Sequence, residues 1–247
     1  MNIERLSQRL EQVAQYIVQY GQDPIRLADI GSDHAYLPCN LLRNKQIEFA
    51  VAGEVVEGPY LSAVRQVNES RLQDKITVRL ADGFAAVEDS DAINTAAICG
   101  MGGGLIVSIL EAGYQAGKLP KLLVLQANTA VAKVRAWLQA HYYHILNECF
   151  IDEKGQFYEV IVAQEQAEKA AYSDKEIMFG PIHLTQKGSI FEDYWHNELN
   201  HHYYILNQLF NGVEYEQMAQ DRKAKVDVIQ AEIDKIEEVI DYDKPLI

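Results

Sequence analysis

Two rhythms of apolar spacing divide the chain near residue 164. Before that point, short aliphatic runs alternate with longer stretches whose apolar positions recur every three or four residues. The runs at 25–30, 49–53, 76–80, 94–99 and 120–126 read as buried strands, because they are brief, aliphatic or β-branched, and bounded by turn-forming residues. Segments 36–45, 58–72 and 130–141 read as helices, with Leu61, Val64 and Val67 inward in the second and Val131, Val134 and Leu138 inward in the third. A leading amphipathic helix is expected over 2–20, where Leu6, Leu10, Val13 and Ile17 form one stripe before Gly21 and Pro24 break it. Segments 145–151 and 158–163 pair as a hairpin around Glu153-Lys154-Gly155. After a polar connector at 164–173 and a turn at Phe179-Gly180-Pro181, the pattern becomes purely helical. Leu199, Tyr203, Leu206, Phe210 and Val213 make one stripe, and Val226, Ile229, Ile233, Ile236 and Ile240 a second. Asn211-Gly212 between them suggests an antiparallel, coiled-coil-like hairpin. The expected fold is therefore α/β: a Rossmann-like, mostly parallel sheet with an antiparallel end strand in 1–164, then an α-helical C-terminal domain in 165–247.

The ends of the predicted strands carry the chemistry. The first runs into Asp29-Ile30-Gly31-Ser32-Asp33-His34-Ala35-Tyr36. A dinucleotide fingerprint needs G-x-G-x-x-G so that backbone can approach the phosphates. Here Asp33 and Tyr36 stand where the second and third glycines belong. A carboxylate at Asp33 repels a pyrophosphate but suits the ammonium of a methionine-like ligand, so the loop resembles one for S-adenosylmethionine. The second strand ends in Glu54, 25 positions after Asp29, where such folds place the carboxylate that grips ribose hydroxyls. The third runs into Asp82-Gly83, suited to the exocyclic amine of an adenine. The fourth is followed by Gly100-Met101-Gly102-Gly103-Gly104, expected to be an open loop where methyl donor and acceptor meet. No Gly-Lys-Ser/Thr completes it as a phosphate loop. Each motif also has a plain structural reading, such as a strand-to-helix turn or an Asp-Gly turn.

Composition narrows the classes. With 48% apolar and 23% charged residues the chain is an ordinary globular protein. No run approaches the roughly 20 apolar residues that cross a bilayer, and the opening MNIERLSQRL lacks the apolar stretch of a signal peptide. Cys39, Cys99 and Cys149 form no C-x-x-C pair, and His196, His201 and His202 match no zinc spacing. A cytoplasmic protein without metal or membrane is expected. The formal net charge of −14 weighs against a nucleic-acid binder: 14 basic against 19 acidic residues in 1–164, and 8 against 17 beyond. Only a local positive face escapes that objection, since screening limits each charge to about 10 Å. Its candidates are Arg5, Arg9, Arg43, Lys45, Arg65, Arg71, Lys75 and Arg79.

The stretches DIGSDHAYLP, GEVVEGP, ICGMGG, LVLQAN, FYEVIVA and FGP together resemble the bacterial tRNA (adenine-22, N1)-methyltransferases, over essentially the whole chain. The resemblance implies a class I S-adenosylmethionine domain, a helical C-terminal domain that helps hold tRNA, and tRNA as substrate. One departure is Gln126-Ala127-Asn128, where the family has QPN. The cofactor site is expected at Asp29, Gly31, Ser32 and His34, at Glu54 and Val55, at Asp82 and Gly83, and at Gly100 and Met101. Asp33, His34 and Asn128 are candidates for catalysis, and Arg9, Tyr36, Gly102 and Gly103 for contact with the substrate. A monomer or weak homodimer is expected. Two other readings fit the residues: a small-molecule methyltransferase, and a non-catalytic adapter that binds partners through the helical hairpin.

Overall fold

The computed structural model describes residues 3–240. They form β1 (Arg26–Ile30), β2 (Phe49–Glu54), β3 (Ile76–Leu80), β4 (Thr95–Gly102), β5 (Leu122–Thr129), β6 (Tyr143–Glu153) and β7 (Gln156–Glu165). The helices are α1 (Gln8–Tyr20), α2 (Tyr36–Arg43), α3 (Glu57–Glu69), α4 (Gly103–Gln115), α5 (Val131–Ala140), α6 (Asp174–Phe179), α7 (Pro181–Gln186), α8 (Ser189–Phe210) and α9 (Gln220–Val239). The sheet order is β3-β2-β1-β4-β5-β7-β6. The first five strands are mutually parallel, and β7 runs antiparallel between β5 and β6. The reversed strand is thus second from the edge, because the tight Lys154-Gly155 turn, with both residues at positive φ, folds β7 back onto β6.

Helices cover both faces. Val13, Ile17, Leu37, Leu41, Ala63 and Val67 of α1–α3 pack on one face, against Leu27, Ala50, Ala52 and Val124. Ile106, Leu110, Val134 and Leu138 of α4 and α5 pack on the other, against Ala28, Ile98, Leu123 and Leu125. Consecutive strand residues serve opposite layers, which is why these strands are apolar throughout rather than alternating.

Several local expectations are corrected. The leading helix begins at Gln8, not residue 2, because Ser7 caps it by accepting from the Leu10 N–H at 3.3 Å. Leu61 does not face inward; it is 50% exposed, and Ala63 and Val67 form the buried stripe of α3. The glycine-rich segment is not an open loop. β4 continues to Gly102 through two irregularities in its pairing with β5, and α4 starts at Gly103. Gly103 itself is buried, and a β-carbon there would sit 2.4 Å from the Ala130 carbonyl oxygen, so close packing on Ala130 leaves no room for a side chain.

By its contacts the chain forms two compact units, the first reaching Ile182. The Arg135 guanidinium donates to the carbonyls of Ile177 and Met178, tying the 174–182 segment to the first unit. In the second unit α8 and α9 pair antiparallel. His202 Nε2 meets Glu232 at 2.9 Å, while Arg222 reaches the Leu209 carbonyl nearer the connecting turn. Leu199, Leu206, Val226, Ile233 and Ile236 are buried. His202 is thus engaged by a carboxylate, and His196 by the Glu192 carbonyl at 2.7 Å.

Candidate active site

The sheet reverses its order beside β1, whose neighbours are β2 and β4. Ligands of such sheets lie beyond the carboxyl ends of the strands at this point. A cleft of about 400 Å³ is found there, lined by Asp29, Gly31, Ser32, Asp33 and Glu54 together with Arg9, Gly100, Met101, Asn128 and Tyr158.

The acidic lining residues come mainly from the β1–α2 turn. Gly31, at φ +72°, donates its N–H to the Gly53 carbonyl at 2.8 Å and starts the turn. Asp33, His34 and Ala35 follow at φ +39°, +71° and +54°. Three successive non-glycine residues in the left-handed region cost on the order of 1–2 kcal/mol each, and strain of this kind concentrates at functional sites. The turn is held by Glu54, whose carboxylate accepts from the Asp33 N–H at 2.5 Å. Ser32 Oγ donates to Asp29 at 2.5 Å. His34 stacks on Tyr36 with ring centroids 5.3 Å apart, and its Nε2 lies 3.5 Å from the Asp33 carboxylate.

Burial pushes the Asp29 carboxyl up to about 7; the Ser32 hydrogen bond opposes this, and the nearby charges of Glu54 and Asp33 add to it. Burial likewise raises Glu54, against the Asp33 N–H. Cys99, on the cleft wall, is pushed up to about 12 by burial and then by Asp29. Because the folded protein holds the Asp29 proton above its ordinary value of 3.8, this group's contribution to stability is full at low pH. It declines as pH rises from about 4 through 7, by at most about 1.4 kcal/mol per pH unit for one proton. Asp29→Asn should flatten that decline in urea titrations between about pH 4 and 7. An unchanged slope would show that Asp29 ionises normally.

Beside these acidic residues lies an amide network. Gly100 lies at φ +76°, which lets its N–H and C=O both face β5. Its N–H donates to Gln126 Oε1 at 2.9 Å, and its carbonyl accepts from Asn128 Nδ2 at 2.9 Å. Gln126 Nε2 donates to Asn128 Oδ1 at 3.0 Å. The Arg9 guanidinium donates to Gln126 Oε1 and lies 5.0 Å from the centre of the Tyr158 ring. Ala127 pairs with Met101 of β4 and with Glu159 of β7, so β5 stays within the sheet through it.

Asp29, Gly31, Ser32, Asp33, Glu54, Gly100, Met101, Asn128 and Arg9 thus converge on one cleft. Asp82 and Gly83 do not line it. They follow β3 at the same edge of the sheet, where the Ala81 N–H meets the Glu54 carbonyl at 2.8 Å and Asp82 is exposed. Val55 is exposed just past β2. Of the cations considered for a positive face, Arg43 pairs with Glu4 and Arg79 with Asp91. Gln126 and Tyr158 were not anticipated. A polar residue inside the apolar run LLVLQ was a signal for Gln126; Tyr158 gave none.

Comparison with known proteins agrees with this arrangement. The family described as tRNA (adenine(22)-N(1))-methyltransferase matches residues 27–238. The enzyme of that name from Bacillus subtilis (strain 168) is 38% identical over 246 residues, covering 98% of this chain and all of the relative. The Streptococcus pneumoniae protein Sp1610, solved in complex with S-adenosyl-L-methionine, superposes with a TM-score of 0.83 at 37% identity, covering 96% of this chain and 100% of that one. The Mycoplasma capricolum protein TrmK, solved with S-adenosyl-homocysteine, gives a TM-score of 0.81 at 31% identity over 96% and 98% of the two chains. The chain belongs to the tRNA (adenine(22)-N(1))-methyltransferase family.

Proposed function

We infer that this chain methylates N1 of adenine 22 in tRNA, using S-adenosyl-L-methionine. The observation that carries the reading is the group of three carboxylates, Asp29, Asp33 and Glu54, that lines the cleft beyond β1 and β2, with Asp29 and Glu54 buried. The cofactor fits such a site because it is cationic at its sulfonium and ammonium groups. Glu54 takes the ribose hydroxyls, Asp82 and Gly83 the adenine, and Asp29 and Gly31 shape the methionine end. When bound, S-adenosyl-L-methionine supplies an electrophilic methyl group and departs as the neutral thioether S-adenosylhomocysteine.

The chain's own residues do the rest by placement. The N1 lone pair of neutral adenine forms the new C–N bond while the S–C bond breaks towards sulfur. No base has to remove a proton before attack, so holding N1 in line supplies most of the rate enhancement. Because N1 is normally engaged in pairing, the base leaves its stack to enter the cleft. We assign the side-chain carbonyl of Asn128 and the backbone carbonyl of Gly100, both residues of the cleft wall, to stabilising the positive charge that develops on the ring. Arg9, backed by Tyr158, offers a flat cation on which a base can stack. The reading places the enzyme in the cytoplasm; the free thiols of Cys39, Cys99 and Cys149 suit a reducing compartment, and no described helix is long and apolar enough to cross a membrane.

Labelled methyl groups should pass from the cofactor to an unmodified tRNA transcript carrying adenine at position 22, and not to one carrying guanine there. Asp82→Ala should reduce the transfer about tenfold through weaker cofactor binding, the loss of about one charge-assisted hydrogen bond. Label appearing only in a small metabolite would overturn the reading in favour of a small-molecule methyltransferase.

A further inference from the structure

The β1–α2 turn also builds an aromatic stack that the cleft does not use. The imidazole of His34 lies over the phenol of Tyr36, with the ring planes 18° apart and the centroids separated by 5.3 Å. Residues two apart do not face each other on a helix. Here the left-handed backbone of Asp33, His34 and Ala35 turns the chain back just before α2 begins at Tyr36, and the two rings meet. Glu54 holds that turn through the Asp33 N–H, so the stack is set before any ligand arrives. Tyr36 packs against the apolar layer beneath it, whereas the His34 side chain is 45% exposed. The stack is therefore fixed at its inner end and open at its outer end; among the described residues no other ring stacks on His34. Asp33 and Leu37 line the cleft on either side of the pair in sequence, while His34 and Tyr36 do not. The pair thus stands at the rim, and His34 lies outside the cleft in which it was expected.

The open end of such a stack takes a further planar ring, and every nucleobase offers a face suited to it. Charge disfavours a phosphate there, because the exposed Asp33 carboxylate lies 3.5 Å from His34 Nε2 and the Glu54 carboxylate holds the same turn. We propose that the His34–Tyr36 pair is a stacking platform for a nucleobase adjoining adenine 22 of the tRNA. That neighbour loses its own stacking partner when the target base leaves the helix and enters the cleft, and the platform replaces it. The assignment rests on the adenine-N1 reading above. It makes His34 a residue that binds substrate and not a proton carrier, since adenine N1 attacks as a neutral lone pair. A stack made equally before and during methyl transfer acts through KM for tRNA and leaves kcat alone.

The test uses three tRNA transcripts that all carry adenine 22: the intact molecule, and two in which the nucleotide before or after it is abasic. With the parent enzyme, one abasic transcript should lose about tenfold in kcat/KM, carried by KM, the scale for one stack of a base on an aromatic side chain. His34→Ala should show that loss already on the intact transcript and be insensitive to the abasic site. His34→Phe keeps a planar ring and should behave as the parent does. Calorimetry with S-adenosyl-L-methionine should give both variants the parent's affinity, which also shows that they fold. Equal rates of the parent enzyme on the three transcripts would overturn the proposal and leave the adenine-N1 function standing, as would an undiminished abasic effect in His34→Ala. A tenfold loss of cofactor affinity in His34→Ala would also overturn it, by assigning the pair to the cofactor. Failure of the parent enzyme on the intact transcript would be a different result and would overturn the function itself.

Discussion

Arg135→Met should lower the unfolding free energy by about 3–5 kcal/mol, the scale for breaking a buried ion pair by removing one partner. Arg135 is 1% exposed and sits between two carboxylates, Glu148 at 3.1 Å and Glu159. The carboxylates cannot swing away to water. Glu148 also accepts from the Ile182 N–H at 2.9 Å, and Gly180 lies so close that a β-carbon there would sit 2.2 Å from Glu148 Oε1. Removing the cation therefore leaves two desolvated negative charges together and also frees the Ile177 and Met178 carbonyls. Urea denaturation measures the loss. Replacing Arg135, Glu148 and Glu159 together by apolar residues of similar volume should cost far less, because no charge is then left behind. A single-variant loss below about 1 kcal/mol would mean that the site relaxes or admits water.

Glu54→Ala should weaken S-adenosyl-L-methionine binding by on the order of 100-fold, as read by calorimetry. Two charge-assisted hydrogen bonds to ribose hydroxyls, each contributing about 1.5–3 kcal/mol, set the scale. The same carboxylate also holds the Asp33 N–H and with it the left-handed turn, so the variant loses a preorganised loop as well as two acceptors. A second effect has a definite sign. Glu54 is one of the charges that raise Asp29, so its removal lowers the Asp29 value and moves the pH dependence of the Asp29 contribution towards acid. Weakened binding without that acid shift would confine Glu54 to the ribose. The reverse result, a shift with normal affinity, would remove it from the cofactor.

Much of this was legible in the residues because it depends on local rules. The five parallel strands announced themselves as short aliphatic runs, and the acids at their ends marked one edge of the sheet before any pairing was known. Leu61 was misread because a helix of three or four turns offers several apolar stripes, and only the neighbouring elements select Ala63 and Val67. The glycine-rich stretch was misread for a related reason. Glycines suggest an open loop, but pairing partners on β5 were available to extend β4 to Gly102. The attachment of residues 174–182 to the first unit depends on Arg135 reaching across from α5, a long-range contact with no trace in the polar linker itself.

The order of the parallel strands and the acids at their ends were legible in the sequence alone, since each rests on spacing within a few residues, and the family was legible as a resemblance carried by motifs spread over the whole chain. Tertiary structure alone decided the polarity of the site. The raised Asp29 depends on which charges burial brings beside it, and the amide network depends on Gly100 and Asn128 meeting across two strands. Burial and cross-strand hydrogen bonds are properties of neighbours distant in the chain, and periodicity carries no record of them.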